Sequence, residues 1–321
     1  MRYSIIVPIY NGEPFLDACV ASIRMQRSDD WELLLIDDGS TDGSGAMADV
    51  WAERDGRISV LHQENRGQFF ARQAGIDASR GEYLLFLDCD DRWEADCLNV
   101  LDSVIRKEAP DLILFAGKIY ENGEDSGRVI GRVSERVEPM PRETLLESLL
   151  SSHDLNSLCL KAFRRELFLG DTTDYSAFAK PRCGEDKARL LYPASRAERI
   201  VAIPNTLYQY HHRHDSLMNT FSFTEAERLL GNDMFALLRQ YLPIWNMDMP
   251  EYRDLLDAYY LKTWLAVYYG LRRDARTVQE RRAIRTYPWK HILYRAAFRC
   301  GAVRRLSARD RLRLLIAVLR V

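Results

Sequence analysis

Three acidic clusters carry the residues best suited to chemistry: Asp37-Asp38 after Leu33–Ile36, Asp88, Asp90 and Asp91 after Tyr83–Leu87, and Glu185-Asp186. The first two each end an apolar run that reads as a buried strand. In an open α/β sheet, ligands bind at the carboxyl ends of the strands, so these carboxylates are expected to meet in one crevice. Crowded carboxylates repel one another and resist desolvation unless something positive sits among them. A divalent cation bridging to a phosphorylated ligand answers that need, because Mg²⁺ and Mn²⁺ favour a few carboxylates plus substrate phosphate oxygens. The chemistry expected is metal-assisted and of nucleotide type.

The elements that must position these groups follow from hydrophobic periodicity. Ile5–Val7, Leu33–Ile36, Ile58–Leu61 and Tyr83–Leu87 read as strands. Phe15, Leu16, Cys19, Val20 and Ile23 recur at helical spacing; further helices are expected behind the caps Ser40-Thr41-Asp42, over Gly67–Ala78 and from Glu94 to about Lys107. This alternation argues for a mostly parallel sheet with helices on both faces. Leu112–Phe115, a hairpin around Asn122-Gly123-Glu124-Asp125, a short helix from Pro141 to about Leu150, Leu158–Phe163, a helix opened by Gly184-Glu185-Asp186, and Thr206–Tyr210 would complete it. Beyond Phe223 only helices are expected, over Ala226–Tyr241, Tyr252–Tyr269 and the tail. We expect an α/β domain over 1–220 and a helical region over 221–321.

The composition, 47% hydrophobic and 29% charged over 321 residues, suits a soluble protein with one large core or a core plus a smaller domain. Six scattered cysteines without a CxxC pair read as reduced thiols, and no secretory signal or bilayer-spanning run is seen, so a cytoplasmic location is expected. The net charge of −2 hides an asymmetry: from Arg281 onward twelve basic residues face one acid, Asp310. Arginines there interleave with Trp289, Ile292, Leu293, Phe298, Leu312, Leu315 and Ile316. That mixture suits helices at an anionic membrane surface, and equally an ordinary helical subdomain with a solvated basic face. No nucleic-acid recognition module accompanies the charge, so nucleic acid is not the expected partner.

The first turn, Pro8-Ile9-Tyr10-Asn11-Gly12-Glu13, lacks GxGxxG, and the chain has no GxxxxGK[ST] loop. Ordinary dinucleotide dehydrogenases and P-loop enzymes are thereby set aside. Taken in order, Val7-Pro8-Ile9-Tyr10-Asn11, Ile36-Asp37-Asp38-Gly39-Ser40-Thr41-Asp42, Asn65-Arg66-Gly67 with Ala71-Arg72 and Gly75, Gly81-Glu82-Tyr83, Phe86-Leu87-Asp88-Cys89-Asp90-Asp91 and Glu185-Asp186 form a series. Over roughly residues 3 to 216 this chain resembles a family-2 glycosyltransferase of the GT-A fold.

The resemblance implies roles residue by residue. Asp37 or Asp38, with Pro8, Tyr10 and Asn11, would meet the nucleotide base; a carboxylate suits the uracil ring N–H. The bland alternative is a turn and helix cap. Asp88, Asp90 and Asp91 stand at the DxD motif that holds Mn²⁺ or Mg²⁺ against the donor diphosphate, with Asp90 and Asp91 favoured for the metal and Asp88 for the nucleotide. The alternative, a solvated turn, would carry a like-charge cost. Asp186, with Glu185, stands where the family has its catalytic base; the alternative is an acidic first turn favoured by the helix dipole. Lys187 follows where an aromatic residue is common, and Gln73 stands where Asn is common. Asn65, Gly67 and Arg72 match the donor-side segment, Arg72 pairing with a carboxylate or the diphosphate or lying solvated on its helix. Tyr208-Gln209-Tyr210-His211-His212-Arg213-His214-Asp215-Ser216 resembles a YR-x-H-x-x-S segment, with His211 in the Arg position and Arg213 in the His position. His211 as a metal ligand and Arg213 as a diphosphate contact are carried over on that basis, a solvated loop being the alternative.

The expected activity is an inverting, metal-dependent hexosyltransferase moving a sugar from a nucleoside diphosphate donor, UDP-linked by expectation. The acceptor is a hydroxyl of a glycan or lipid-linked molecule in surface polysaccharide or glycoconjugate assembly. The rivals are a phosphohydrolase of the haloacid dehalogenase type, disfavoured by Arg92 after the motif, a sugar nucleotidyltransferase, and a non-catalytic glycosyltransferase-like binding protein.

Overall fold

The computed structural model describes residues 1–178, 184–212, 233–274 and 300–319. Arg213, the segment 213–232 and the basic stretch 275–299 lie outside the described residues. Strands β1 (Tyr3–Ile9) and β2 (Trp31–Asp37) are buried at every position, and β4 (Tyr83–Phe86) likewise. Their near-continuous apolar runs are what a parallel strand covered on both faces requires. With β3 (Ile58–His62) they form a parallel block in the order β3-β2-β1-β4, with Ile9 opposite Asp37 and Asp37 opposite His62.

Helices α1 (Leu16–Arg24), α2 (Ser44–Arg54) and α3 (Gln68–Ala78) connect these strands. Helix α1 buries Leu16, Cys19, Val20 and Ile23, the expected face. Gly75 lets α3 lie directly on β1, because a Cβ there would meet Ile6 Cγ2 at 2.4 Å. Gly67 opens α3 at φ +90°, a conformation that favours glycine.

The second part of the sheet is mixed. Strand β9 (Lys161–Arg164) runs antiparallel between β4 and β6 (Leu112–Glu121), and β10 (Ile200–His212) runs parallel to β6. The two-residue β5 (Arg92–Trp93), the hairpin partner β7 (Glu124–Ile130) and β8 (Glu138–Met140) complete the sheet at its margins. The strand expected over Leu158–Phe163 starts only at Lys161, because Leu158–Leu160 forms a turn closed by Lys161 N–H on Leu158 O. Helix α4 (Cys97–Glu108) starts later than Glu94, since Glu94 N–H donates to Leu207 O beside β5 and the Gln26 side chain accepts from Leu98 N–H at 3.1 Å. Helix α5 (Arg142–Ser151) follows β8, and helix α6 (Glu185–Arg196) opens on the acid pair.

The chain divides into two compact units. Of the described residues, 1–145, 154–178 and 185–212 make the first, which holds the sheet. The second contains Leu146–His153 and the helices Asp233–Ile244, Pro250–Asp274, Cys300–Arg305 and Ala308–Leu319. Within it Phe235 packs on Tyr259 and Tyr260, and Arg239 pairs with Asp257 at 2.7 Å. Arg313 lies 4.4 Å over the Tyr269 ring, while Leu312 and Leu315 stay exposed. Among the described residues no helix is long and apolar enough to cross a membrane.

Candidate functional site

Parallel pairing of β1 to β4 brings the segments after them to one edge of the sheet. There Asn11, at φ +52°, accepts from Thr41 N–H at 2.8 Å and donates its own N–H to Ser40 Oγ at 3.1 Å, lacing the loops after β1 and β2 together. Pro8 is buried in β1, whereas Tyr10 is half exposed beyond it. Asp37 is 6% exposed and accepts from Ser40 N–H at 3.0 Å, with His62 Nδ1 at 2.9 Å on its other oxygen. Burial pushes its carboxyl up, but the hydrogen bonds from Ser40 and His62 outweigh it and hold it below the usual range. The same contact, with Asp49 on the far ring nitrogen, raises His62.

Asp38 has a different position. One oxygen accepts from Gln63 Nε2 at 2.7 Å and Arg66 N–H at 2.9 Å, the other from Gly67 N–H at 2.8 Å. It therefore pins the loop that carries Asn65 and Gly67 into α3. Of the two aspartates, Asp38 orders the loop that leads into α3, while Asp37 is held by Ser40 and His62.

Arg72 joins two of the three acidic clusters. It is 2% exposed; its guanidinium donates to Asp186 through one terminal nitrogen and to Asp88 Oδ1 at 2.8 Å through the other. Gln68, one turn earlier on α3, also donates to Asp88 Oδ1 at 2.8 Å. The end of β4 and the start of α6 are thus held to one cation. Burial still pushes the Asp88 carboxyl up, with Arg72 opposing it.

Asp91, expected beside Asp90 as a metal ligand, is 2% exposed and turned into the fold. Its oxygens accept from Tyr208 Oη at 2.5 Å and from His211 N–H at 2.7 Å, contacts that tie β10 to the acidic turn. Burial, then the charges of Asp90 and Asp88, push its carboxyl well up. Asp90 is only half-buried. His211 stacks on Tyr120 with ring centroids 5.0 Å apart, and its Nε2 is buried without a hydrogen-bond partner. Burial, then Arg92, lower its affinity for a proton and so favour the neutral imidazole.

At the start of α6, Asp186 also accepts from Leu158 N–H at 3.3 Å and its side chain is a quarter exposed. Glu185 is pushed up to about 7 by burial and then by Asp186, and its Oε2 has no partner. Lys161, 1% exposed, donates to Leu155 O at 2.7 Å and Ser157 O at 2.6 Å and so shapes the turn that presents Leu158 N–H. Burial drops its ammonium to about 7. Sequence reading missed Gln68, His62 and Lys161; a lysine inside the apolar run Leu158–Phe163 is the one signal that pointed to the last.

The model for "Glycosyl transferase family 2" matches residues 4–169, over half the chain. This chain belongs to glycosyltransferase family 2. The glycosyltransferase GlyG of Streptococcus pneumoniae is 31% identical over 226 residues, covering 68% of this chain and 73% of its own. The fold matches TarS of S. aureus, solved in complex with UDP, with a TM-score of 0.72 at 18% identity over all of this chain and 88% of that one. A mannosyltransferase from Pyrobaculum calidifontis, solved with GDP-Man and Mn²⁺, gives a TM-score of 0.53 at 18% identity over 99% and 86% of the two chains. The mixed α/β sheet is thus a GT-A fold, and family membership displaces the phosphohydrolase and nucleotidyltransferase rivals.

Proposed function

We propose that this glycosyltransferase moves a hexosyl unit from a UDP-sugar to a hydroxyl of a glycan or lipid-linked acceptor, with inversion at the anomeric carbon. The observation that carries the reading is Arg72, which holds the DxD aspartate Asp88 and the acid Asp186 on one buried guanidinium. Asp37 keeps lone pairs for the uracil N–H, because each carboxylate oxygen accepts more than one hydrogen bond. Pro8, the half-exposed Tyr10 and Asn11 line the base, and Asn65, Gly67 and Asp88 the ribose and diphosphate side. Asp186 takes the proton of the acceptor hydroxyl as general base, oriented by Arg72 and Leu158 N–H. Glu185, neutral over part of the physiological range, lowers the repulsion beside it.

Asp90, Asp88 and His211 are the residues that would hold Mn²⁺ or Mg²⁺. Among the described residues no three acidic, His or Cys side chains group closely enough to hold a metal ion by themselves, so the ion would need donor phosphate oxygens as further ligands. The buried, partnerless Nε2 of a neutral His211 fits a ligating role. When bound, the ion would neutralise the donor diphosphate and stabilise its departure. Arg213 as a diphosphate contact stays part of the proposal. Exposed Leu312 and Leu315 beside Arg311 support docking at an anionic membrane surface.

Melting curves with UDP, GDP, ADP or CMP, each with Mn²⁺, Mg²⁺ or EDTA, test the donor. A ligand that binds only the folded state raises the midpoint by mass action. We expect a shift with UDP that requires the metal; a shift with GDP alone, or with none, refutes the donor assignment. Asp186→Asn should lower transfer by about 10²–10⁴ while keeping that shift; unchanged transfer would exclude Asp186 as the base, and absence of transfer by the unsubstituted protein would favour a non-catalytic binding role.

A further inference from the structure

A cavity of about 730 Å³ opens in the first unit between α3, α6 and the segment after β9. Its size is that of a small-molecule site. The roles above leave it unused. Helix α3 turns Gln68 and Arg72 toward Asp88 and lends Phe69 and Gln73 to the cavity wall. Helix α6 opens with Glu185 and Asp186 and places Arg189 in that wall one turn later, about 4.5 Å along the axis.

Arg189 is 3% exposed. Its guanidinium lies 3.9 Å from the Phe69 ring centroid and 4.8 Å from that of Tyr175. Its Nε is buried with no hydrogen-bond partner, and among the described residues it pairs with no carboxylate. Ring faces offset part of the desolvation of a guanidinium, yet a buried cation without an anion stays costly.

The acids of the same wall favour its charge from a distance but do not pair with it. Asp77 and Asp174 are exposed, the first accepting from Gln73 Nε2 at 2.7 Å and the second from Ser176 N–H at 2.9 Å. Asp171 accepts from Tyr175 Oη at 2.7 Å and Thr173 N–H at 3.0 Å. The cavity therefore has a cationic floor under a rim of hydrogen-bonding carboxylates. Arg165 adds a half-buried guanidinium that likewise makes no ion pair among the described residues.

We propose that this cavity is an acceptor subsite for an acidic sugar, a glycosyl unit bearing a carboxylate or phosphate, with its anionic group on Arg189 and its hydroxyls on the rim. Calling the ligand an acceptor rests on the glycosyl-transfer reading. A guanidinium matches carboxylate and phosphate through paired N–H groups, and hydroxyls of a sugar ring can donate to Asp77 and Asp171.

Calorimetric titration of the full chain, with UDP and Mn²⁺ present in excess, tests it using glucuronate, glucose 6-phosphate, glucose and inorganic phosphate. Both acidic sugars should bind at least about tenfold more tightly than glucose, and glucose 6-phosphate more tightly than inorganic phosphate. Arg189→Gln should weaken both at least about tenfold, and Arg165→Gln, a variant closer to solvent, several-fold. Glucose binding as well as the acids, inorganic phosphate binding as well as its sugar ester, or indifference to both substitutions overturns the subsite. Loss of acid binding with the UDP-dependent melting shift intact sinks this inference alone. Absence of that shift sinks the donor assignment while binding at Arg189 is still read directly.

Discussion

Replacing Glu185 by glutamine isolates the electrostatics of the acid pair with little change in shape. Burial, then the Asp186 charge, raise the Glu185 carboxyl from 4.5 to about 7, so the folded protein retains a proton that the unfolded chain releases. An acid raised on folding contributes stability that is fully present below its unfolded value and is lost as pH climbs through its folded value. At about 1.4 kcal/mol per unit, the whole shift is worth about 3 kcal/mol, of which roughly 2.5 kcal/mol falls between pH 5 and pH 8. Glutamine is neutral throughout and lacks this dependence. Urea denaturation of both proteins at the two pH values gives the difference between them twice. That difference should move by about 2.5 kcal/mol in favour of Glu185→Gln on going to pH 8. Packing changes, and titrating groups that do not interact with Glu185, cancel in the comparison. A difference that stays constant within about 0.5 kcal/mol refutes the buried-acid reasoning.

Other substitutions probe other contacts. Arg72→Met should cost about 3–5 kcal/mol in denaturation experiments, because two carboxylates lose their shared cation; Arg72→Lys should recover part of the stability but little transfer. Asp186→Asn should lower turnover by about 10²–10⁴ with the donor KM nearly unchanged, measured by UDP release. Lys161→Met should cost about 1–3 kcal/mol through two stranded carbonyls and lower turnover by loosening Asp186, seen in parallel melts and rates. Gly75→Ala should cost about 1–3 kcal/mol against Ile6 Cγ2 and Cγ1, and in an Ile6→Ala background, which lacks both atoms, the same substitution should cost less.

The parallel block was legible because β1, β2 and β4 are apolar at nearly every position and stop in acid, a pattern few other elements share. The rest of the sheet was read less well. Strand β10 contains Pro204 and Asn205 and tolerates them through register shifts that no local pattern announces. Strand β8 carries Pro139, and β5 has two residues, so neither offers a period to detect. Within the site, Asp90 and Asp91 are alike in type and adjacent. Which one turns inward is decided by Tyr208, 117 positions away, and local sequence holds no trace of that distance. Asp38 reads as a ligand group by analogy, yet three loop donors already use it.

The placement of β9 has a consequence for how the chain is made. Strands β4 and β6 follow one another in the chain with only the two-residue β5 between them, but are separated in the sheet by β9, which starts 40 residues after β6 ends. Until residues 161–164 leave the ribosome, β4 and β6 each expose an open edge, and such edges recruit other strands. The half of the sheet built on β1 to β4 can assemble early, because its contacts are comparatively local, while the gap waits for a late insertion. Chains cut before Lys161 should therefore collect as aggregates, whereas chains cut after β10 should remain dispersed, a difference that sedimentation of nested truncations would reveal.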